Sequence, residues 1–194
     1  MPKSFYIKNM VCDRCKAAVR SVFAKEGVEP LNVDLGVVEV DGPLDGDALA
    51  DIRRGLEAIG FELLEDSRKQ TVERIKSLII ELLRYSGDNA SQNHNISAFL
   101  ADRLHSDYSA LSKLFSAETG MTIEKYAIAQ KIELVKELIS YGELSLTEIA
   151  NRLNYSSVAY LSAQFKNVVG MTPSQYKTKG AGERKTLDRV IGAN

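Results

Sequence analysis

Residues 111–126 read "LSKLFSAETGMTIEKY", and residues 161–176 read "LSAQFKNVVGMTPSQY". They align without a gap at an offset of 161 − 111 = 50, pairing Leu111 with Leu161, Ser112 with Ser162, Phe115 with Phe165, Gly120 with Gly170, Met121 with Met171, Thr122 with Thr172 and Tyr126 with Tyr176. Upstream, "LADRL" at 100–104 answers "IANRL" at 149–153. An internal repeat of this kind is one supersecondary unit used twice, so the back half can be read from a single copy.

Each copy reads as helix, sharp turn, helix. Ile96, Leu100 and Leu104 recur at helical spacing, as do Leu146, Ile149 and Leu153, and the small Ala101 and Ala150 admit a close crossing partner. Asp107 and Ser156 are expected to cap the helices that follow, because a short oxygen-bearing side chain can accept from their free first-turn amides. Gly120 and Gly170 suit the left-handed end of those helices, Thr122 and Thr172 can cap the next, and Pro173 suits a first helical position. Between the copies, Tyr126, Ile128, Ile132, Val135, Leu138 and Ile139 form one apolar stripe, which predicts a long connecting helix.

These residues resemble the DNA-binding domain of the AraC/XylS family of bacterial transcription regulators. The resemblance covers roughly residues 72–178 and rests on "SLTEIANRLNYSSVAYLSAQFKNVVGMTPSQY" together with "LSKLF", "TGMTIEKY" and "KIELVKEL". It implies two helix-turn-helix units joined by a long helix, double-stranded promoter DNA as partner, and RNA polymerase as a second one. On helices with Leu111, Leu114 and Phe115 (or Leu161 and Phe165) turned inward, Ser109, Ser112, Lys113 and Ser116 project outward in the first copy. Ala159, Ser162, Ala163 and Lys166 project outward in the second, with Ser157 and Val158 at its start. The family enters successive major grooves with these helices, so the resemblance makes this set the DNA-facing one. Lys113 can reach guanine or phosphate, whereas its repeat partner is Ala163. The first unit is therefore expected to discriminate sequence, while the second anchors phosphates and contacts thymine methyls.

The charge pattern divides the chain. Residues 1–67 hold 8 Lys/Arg against 13 Asp/Glu, or −5, while residues 68–194 hold 25 − 8 = 17 against 26 − 13 = 13, or +4. An excess of that size permits nucleic-acid binding without establishing it. With 194 residues and 44% hydrophobic content, two small domains are expected, at 1–67 and 68–178, followed by a mobile tail at 179–194. "MPKSFYIKNM" has no signal-peptide pattern and no apolar run is long enough to span a membrane, which points to a cytoplasmic protein with no membrane partner.

The front half reads strand ("SFYIKNM"), helix to Gly27, strand ("LNVDL"), a turn at Gly36, strand ("VVEV"), helix to Gly60 and strand ("FELLE"). The first helix turns Val19, Val22 and Phe23 inward; the second turns Leu49, Ile52, Leu56 and Ile59 inward. A βαββαβ order predicts an α+β ferredoxin-like fold with both helices on one face of an antiparallel sheet, beside the all-α back half. "MVCDRC", "VDL", "VEV" and "IGFE" resemble the heavy-metal-associated domain of copper chaperones and metal-transporting ATPases, with Asn9, Val11 and Phe61 departing from that family's usual glycine, threonine and tyrosine or lysine.

Cys12 and Cys15 are the chain's two cysteines. A helix starting at Asp13 sets them one turn apart, where both sulfurs can reach one ion. The helix N-terminus, Arg14 and Lys16 favour thiolate, and Asp13 opposes them. Two thiolates suit Cu(I) or another soft ion, whereas structural zinc wants four ligands; the same pair can also close a reversible disulfide. Met10 reads as core, and His94 and His105 as surface or turn residues. "EDSRKQTVERIKSLIIELLRY" joins the halves without glycine or proline, and its Val72, Ile75, Ile79 and Leu82 stripe, widened by Leu78 and Leu83, predicts a first helix of the back domain and also suits a homodimer contact. The combination is read as a sequence-specific transcription regulator modulated by a soft metal at Cys12/Cys15. The alternatives are a thiol-redox-responsive regulator and a metal-trafficking chaperone with a helical docking module. No His/Asp/Cys constellation supports catalysis, so an enzyme is not expected.

Overall fold

The computed structural model describes residues 2–85 and 95–179. The tail expected from residue 179 onward, apart from Lys179, and His94 lie outside the described residues. The front half runs β1 (Pro2–Lys8), α1 (Asp13–Lys25), β2 (Asn32–Asp34), β3 (Val37–Asp41), α2 (Gly46–Ala58) and β4 (Glu62–Leu64). The four strands form one antiparallel sheet in the order β2-β3-β1-β4. Alternation along β1 and β3 turns Phe5, Ile7, Val38 and Val40 to one face, where they form a core with Val19, Val22 and Phe23 of α1 and Ile52 and Leu56 of α2. Ile59, expected on that face, is instead 48% exposed, because α2 stops at Ala58 and Ile59 is its C-cap. β1 ends two residues before Met10, because Asn9 takes a left-handed φ of 75°. Asparagine tolerates that conformation better than other non-glycine side chains do.

The back half runs α3 (Ser67–Tyr85), α4 (Ile96–Leu104), α5 (Tyr108–Thr119), α6 (Ile123–Tyr141), α7 (Leu146–Arg152), α8 (Val158–Val169) and α9 (Pro173–Lys179). Its caps follow the repeat. Asp107 accepts from Ala110 N–H at 3.1 Å, Thr122 from Lys125 N–H at 3.2 Å and Thr172 from Gln175 N–H at 3.3 Å. Gly120 and Gly170 close α5 and α8 in the left-handed region, and Pro173 opens α9. One cap differs from expectation: Ser157, not Ser156, is extended and accepts from Tyr160 N–H at 3.0 Å. The 50-residue offset already pairs Asp107 with Ser157, so the repeat carried the right register where local residue type did not.

Two separate cores line α6. Ile123, Tyr126 and Ala127 at its start pack with Leu100, Leu111 and Phe115, and with Val72, Ile75, Leu78 and Ile79 of α3. Ile132, Val135, Leu138 and Ile139 further along pack with Ile149, Leu153, Leu161, Phe165 and Tyr176. Matching aromatic pairs mark the repeat: Phe115 and Tyr126 have ring centroids 5.6 Å apart, and Phe165 and Tyr176 5.5 Å.

α3 belongs to both halves. It packs against β1 and β4 on one side and against α4, α5 and α6 on the other. Ile80 joins the core of the sheet while its neighbour Ile79 sits in the first helical core. Part of the stripe read as spare for a homodimer is thus already buried within the chain.

Candidate nucleic-acid interface and cysteine site

α5 and α8 are each held by two inward side chains, Leu111 and Phe115 in the first and Leu161 and Phe165 in the second. At 3.6 residues per turn this orientation leaves Ser109 and Lys113 exposed on α5, with Ser112 and Ser116 half-buried beside them. On α8, Ala159, Ala163 and Lys166 are exposed and Ser162 is half-buried. Ser157 is exposed but its hydroxyl is engaged as the N-cap, and Val158 is half-buried against the second core. Each helix therefore presents a face of small side chains with one cation, and Lys113 and Lys166 stand one turn apart in repeat register.

One exposed side chain on α8 escaped the sequence reading. Tyr160 is 54% exposed and its ring lies 6.0 Å from that of Tyr155, at 59°. Tyr155 is buried, donates its hydroxyl hydrogen to Gln164 at 2.8 Å and carries the Lys131 ammonium 4.0 Å above its ring. Burial lowers the Lys131 pKa, and burial followed by the neighbouring Tyr160 raises that of Tyr155. Tyr160 adjoins the core residue Leu161 in sequence. Its position about 100° round the helix from Leu161 was the available signal.

The first unit has its own polar brace. Tyr108 donates to Glu124, across from the start of α5 to the start of α6. Burial and then this hydrogen bond raise the phenol's pKa, and the same hydrogen bond lowers that of Glu124. Arg84 of α3 meets Glu137 of α6 at 2.6 Å, fixing the strut from its other side.

In the front half, Cys12 is the N-cap of α1, extended at φ −159°, with no side-chain cap on the helix amides. Its Sγ lies 3.4 Å from that of Cys15, and Cys15 N–H donates to Cys12 O at 3.0 Å. Both thiols are reduced and half-buried. Burial opposes ionisation of Cys12, but hydrogen bonds from the Cys15 amide and thiol, together with Arg14, leave its pKa below the ordinary thiol value. Burial dominates at Cys15 and, with Cys12 alongside, pushes its thiol up. Lys16 is drawn to Asp13 at 3.3 Å and Asp34 at 3.8 Å, which blunts its effect on the thiols. Met10 is 1% exposed and packed in the core, and Val11, Cys15 and Phe61 lie against the same core. Among the described residues no group of three or more His, Cys, Asp and Glu side chains could hold a metal. His105 is an exposed left-handed C-cap of α4.

Comparison with known proteins places the helical half. Residues 100–179 match the family described as a helix-turn-helix domain. The chain is 29% identical over 123 residues to an uncharacterized HTH-type transcriptional regulator of Bacillus subtilis, covering 63% of this chain and 38% of that one. It is 30% identical over 125 residues to the Msm operon regulatory protein of Streptococcus mutans, covering 63% and 42%. It thus spans less than half the length of these relatives. Among solved structures, the C-terminal domain of AraT, a response regulator from Geobacillus stearothermophilus, superposes with a TM-score of 0.51 at 25% identity, covering 62% of this chain and 94% of that one. These relatives are named as regulators, in agreement with the expectation that the chain is not an enzyme. No helix among the described residues is long and apolar enough to cross a membrane. Residues 100–179 of this chain form a helix-turn-helix domain similar to those of AraC-type transcription regulators.

Proposed function

We propose that this chain is a sequence-specific transcription regulator that grips promoter DNA with α5 and α8 and senses a soft metal ion at Cys12 and Cys15. The observation that supports DNA binding is the mounting of two like faces on one strut. Each end of α6 carries one unit in its own core. A 19-residue helix is about 28 Å long, close to the roughly 34 Å that separates successive major-groove turns on one side of the duplex. Lys113 supplies the long cation able to bond guanine, while Ala159, Ala163 and Tyr160 offer apolar surface to thymine methyls or a phenol to phosphate.

For the front half, the βαββαβ order and the β2-β3-β1-β4 sheet support a ferredoxin-like, heavy-metal-associated-like unit. Two soft sulfur donors, joined by no third His, Cys, Asp or Glu ligand among the described residues, fit two-coordinate Cu(I) better than zinc, which would lack half its ligands. The split ionisation of the pair also favours a second reading, a thiol switch, in which an oxidant takes two electrons and two protons as the sulfurs bond.

The test is footprinting of the reduced chain on its own upstream DNA, with and without Cu(I), Zn(II) and a disulfide oxidant, beside Cys12→Ser/Cys15→Ser. Salt-sensitive, site-specific protection that Cu(I) alters only in the wild type is the expected result. Failure to protect any site favours the metal-trafficking alternative, and a response confined to the oxidant favours the thiol switch.

A further inference from the structure

A cleft of about 350 Å³ opens between the front-half sheet, α3 and the corner that joins α4 to α5. Its nine lining residues include Arg74, Arg103, His105, Tyr6, Thr71 and Ser106, and no carboxylate. Several of the polar groups are already spoken for. Thr71 donates to Ser67 O at 2.9 Å, Gln70 to Leu64 O at 2.8 Å and Ser106 to Leu104 O at 3.0 Å. Facing the cleft besides these are the Arg74 and Arg103 guanidinium groups, the His105 imidazole, the Tyr6 phenol and the Ser67 hydroxyl.

Arg74 is the informative one. Elsewhere on α3, Arg68 pairs with Glu118 at 3.0 Å, Lys76 with Glu73 at 3.1 Å and Arg84 with Glu137 at 2.6 Å. Arg74 is half-buried and has no ion-pair partner among the described residues. A partly desolvated guanidinium lacking a counter-charge is costly, and the fork geometry of arginine matches phosphate and carboxylate oxygens. Arg103 stands ready beside it: Glu81 holds one of its nitrogens at 3.2 Å and its guanidinium lies 5.7 Å over the Phe99 ring, so its position is set before an occupant arrives.

We infer that this cleft binds a small dianion, a phosphate or a short dicarboxylate, clamped between Arg74 and Arg103. The walls come from both halves: Tyr6 from β1, Arg74 from α3, and Arg103, His105 and Ser106 from the first helix-turn-helix unit. Occupancy therefore reports how the sheet sits against that unit, and it does so independently of the cysteines.

The experiment is calorimetric titration of the full chain, without DNA, with inorganic phosphate and separately with succinate, at ionic strength held constant with chloride. Saturable binding of at least one probe is expected, and the stronger of the two identifies the ligand's chemistry. Arg74→Gln and Arg103→Gln are each expected to weaken it about tenfold or more, since a charge-assisted contact is lost, while Arg74→Lys retains part of it. Lys113→Ala and Cys12→Ser/Cys15→Ser are expected to bind as wild type. Arg103 lies on an exposed corner, so Arg103→Gln gives a reading even where Arg74→Gln fails to fold. Binding of neither probe beyond chloride overturns the inference. So does unchanged binding in both arginine variants, or a loss confined to Lys113→Ala, which would place the anion on the DNA face.

Discussion

Glu73→Ala reaches both halves of the chain at once. Glu73 is 6% exposed, and one carboxylate oxygen accepts the backbone N–H of Asn9 at 3.0 Å while the other accepts from Lys76 at 3.1 Å. Its charge also acts on Tyr126 of α6, whose phenol is pushed up first by burial and then by Glu73, against a hydrogen bond with Gln130. Alanine strands the Asn9 amide, which costs about 1–3 kcal/mol. It also leaves Lys76, whose side chain is 18% exposed, without its carboxylate, adding about 1 kcal/mol or less after solvent screening. Relief from burying the Glu73 charge offsets part of this, so a net loss of about 2–3 kcal/mol is expected. Glu73→Gln keeps an oxygen for Asn9 and should lose only about 1 kcal/mol. Urea unfolding followed by far-ultraviolet circular dichroism and by tyrosine fluorescence, in a chain with 8 Tyr and 0 Trp, measures both. Glu73→Ala within about 0.5 kcal/mol of wild type, or Gln as damaging as Ala, would refute the acceptor role.

Gly36→Ala meets two obstacles, a φ of +76° and a new Cβ 2.5 Å from Ser77 Oγ, and should cost about 2–3 kcal/mol; Gly42→Ala, at the same φ but with open space around it, should cost about 1 kcal/mol. The same urea titration on Gly36→Ala/Ser77→Ala should recover most of the difference, and failure to do so would remove the steric explanation. Cys12, with its pKa lowered, exists as thiolate at lower pH than Cys15, so limited iodoacetamide near neutral pH should modify Cys12 first, with selectivity fading as pH rises and Cys15 also ionises; peptide mass mapping that finds Cys15 first contradicts this. In gel-shift competition, Lys113→Ala should flatten the preference among operator variants, whereas Lys166→Ala should weaken all sequences alike and reduce the salt slope by about 0.9. The reverse pattern would exchange the roles given to the two units.

Features repeated in the chain were the most legible ones. Phe115/Phe165, Gly120/Gly170 and Thr122/Thr172 marked both units, the glycine ends of α5 and α8 and the threonine cap of α6, because each is a local choice of side chain and backbone angle stated twice. Features that depend on two distant segments were not legible. α3 shows one apolar stripe, and nothing in its spacing tells that Ile80 enters the sheet's core while Ile79 enters the helical one. Glu73 reads as one more charge on a solvated helix until Asn9, 64 residues earlier, brings its amide to it. The spacing of Cys12 and Cys15 placed the sulfurs together, but the opposite shifts of the two thiols arise from different burial and hydrogen bonding, which spacing does not encode.

Asn9 ties the cysteine loop to α3. Its left-handed backbone directs its amide at Glu73, and it stands three residues before Cys12. Glu73 lies on α3 between Val72 and Ile75, both buried in the core of the first helix-turn-helix unit. On the sensor reading proposed above, an ion at the cysteines changes DNA affinity only through contacts that differ between the two arrangements, and this hydrogen bond is a direct link from the cysteine loop to α3. One link of this kind carries about 1–3 kcal/mol, so bound Cu(I) should shift operator affinity by about 5- to 150-fold and no more. Glu73→Gln, which preserves the link, should keep most of that ratio. An Asn9→Pro substitution removes the donor outright, and proline also excludes a φ of 75°, so the loop is released from α3 while both thiols remain. Its operator affinity should then be the same with and without Cu(I), even though Cu(I) is still retained on gel filtration. A full Cu(I) response in that variant would show that the signal reaches α5 by another route.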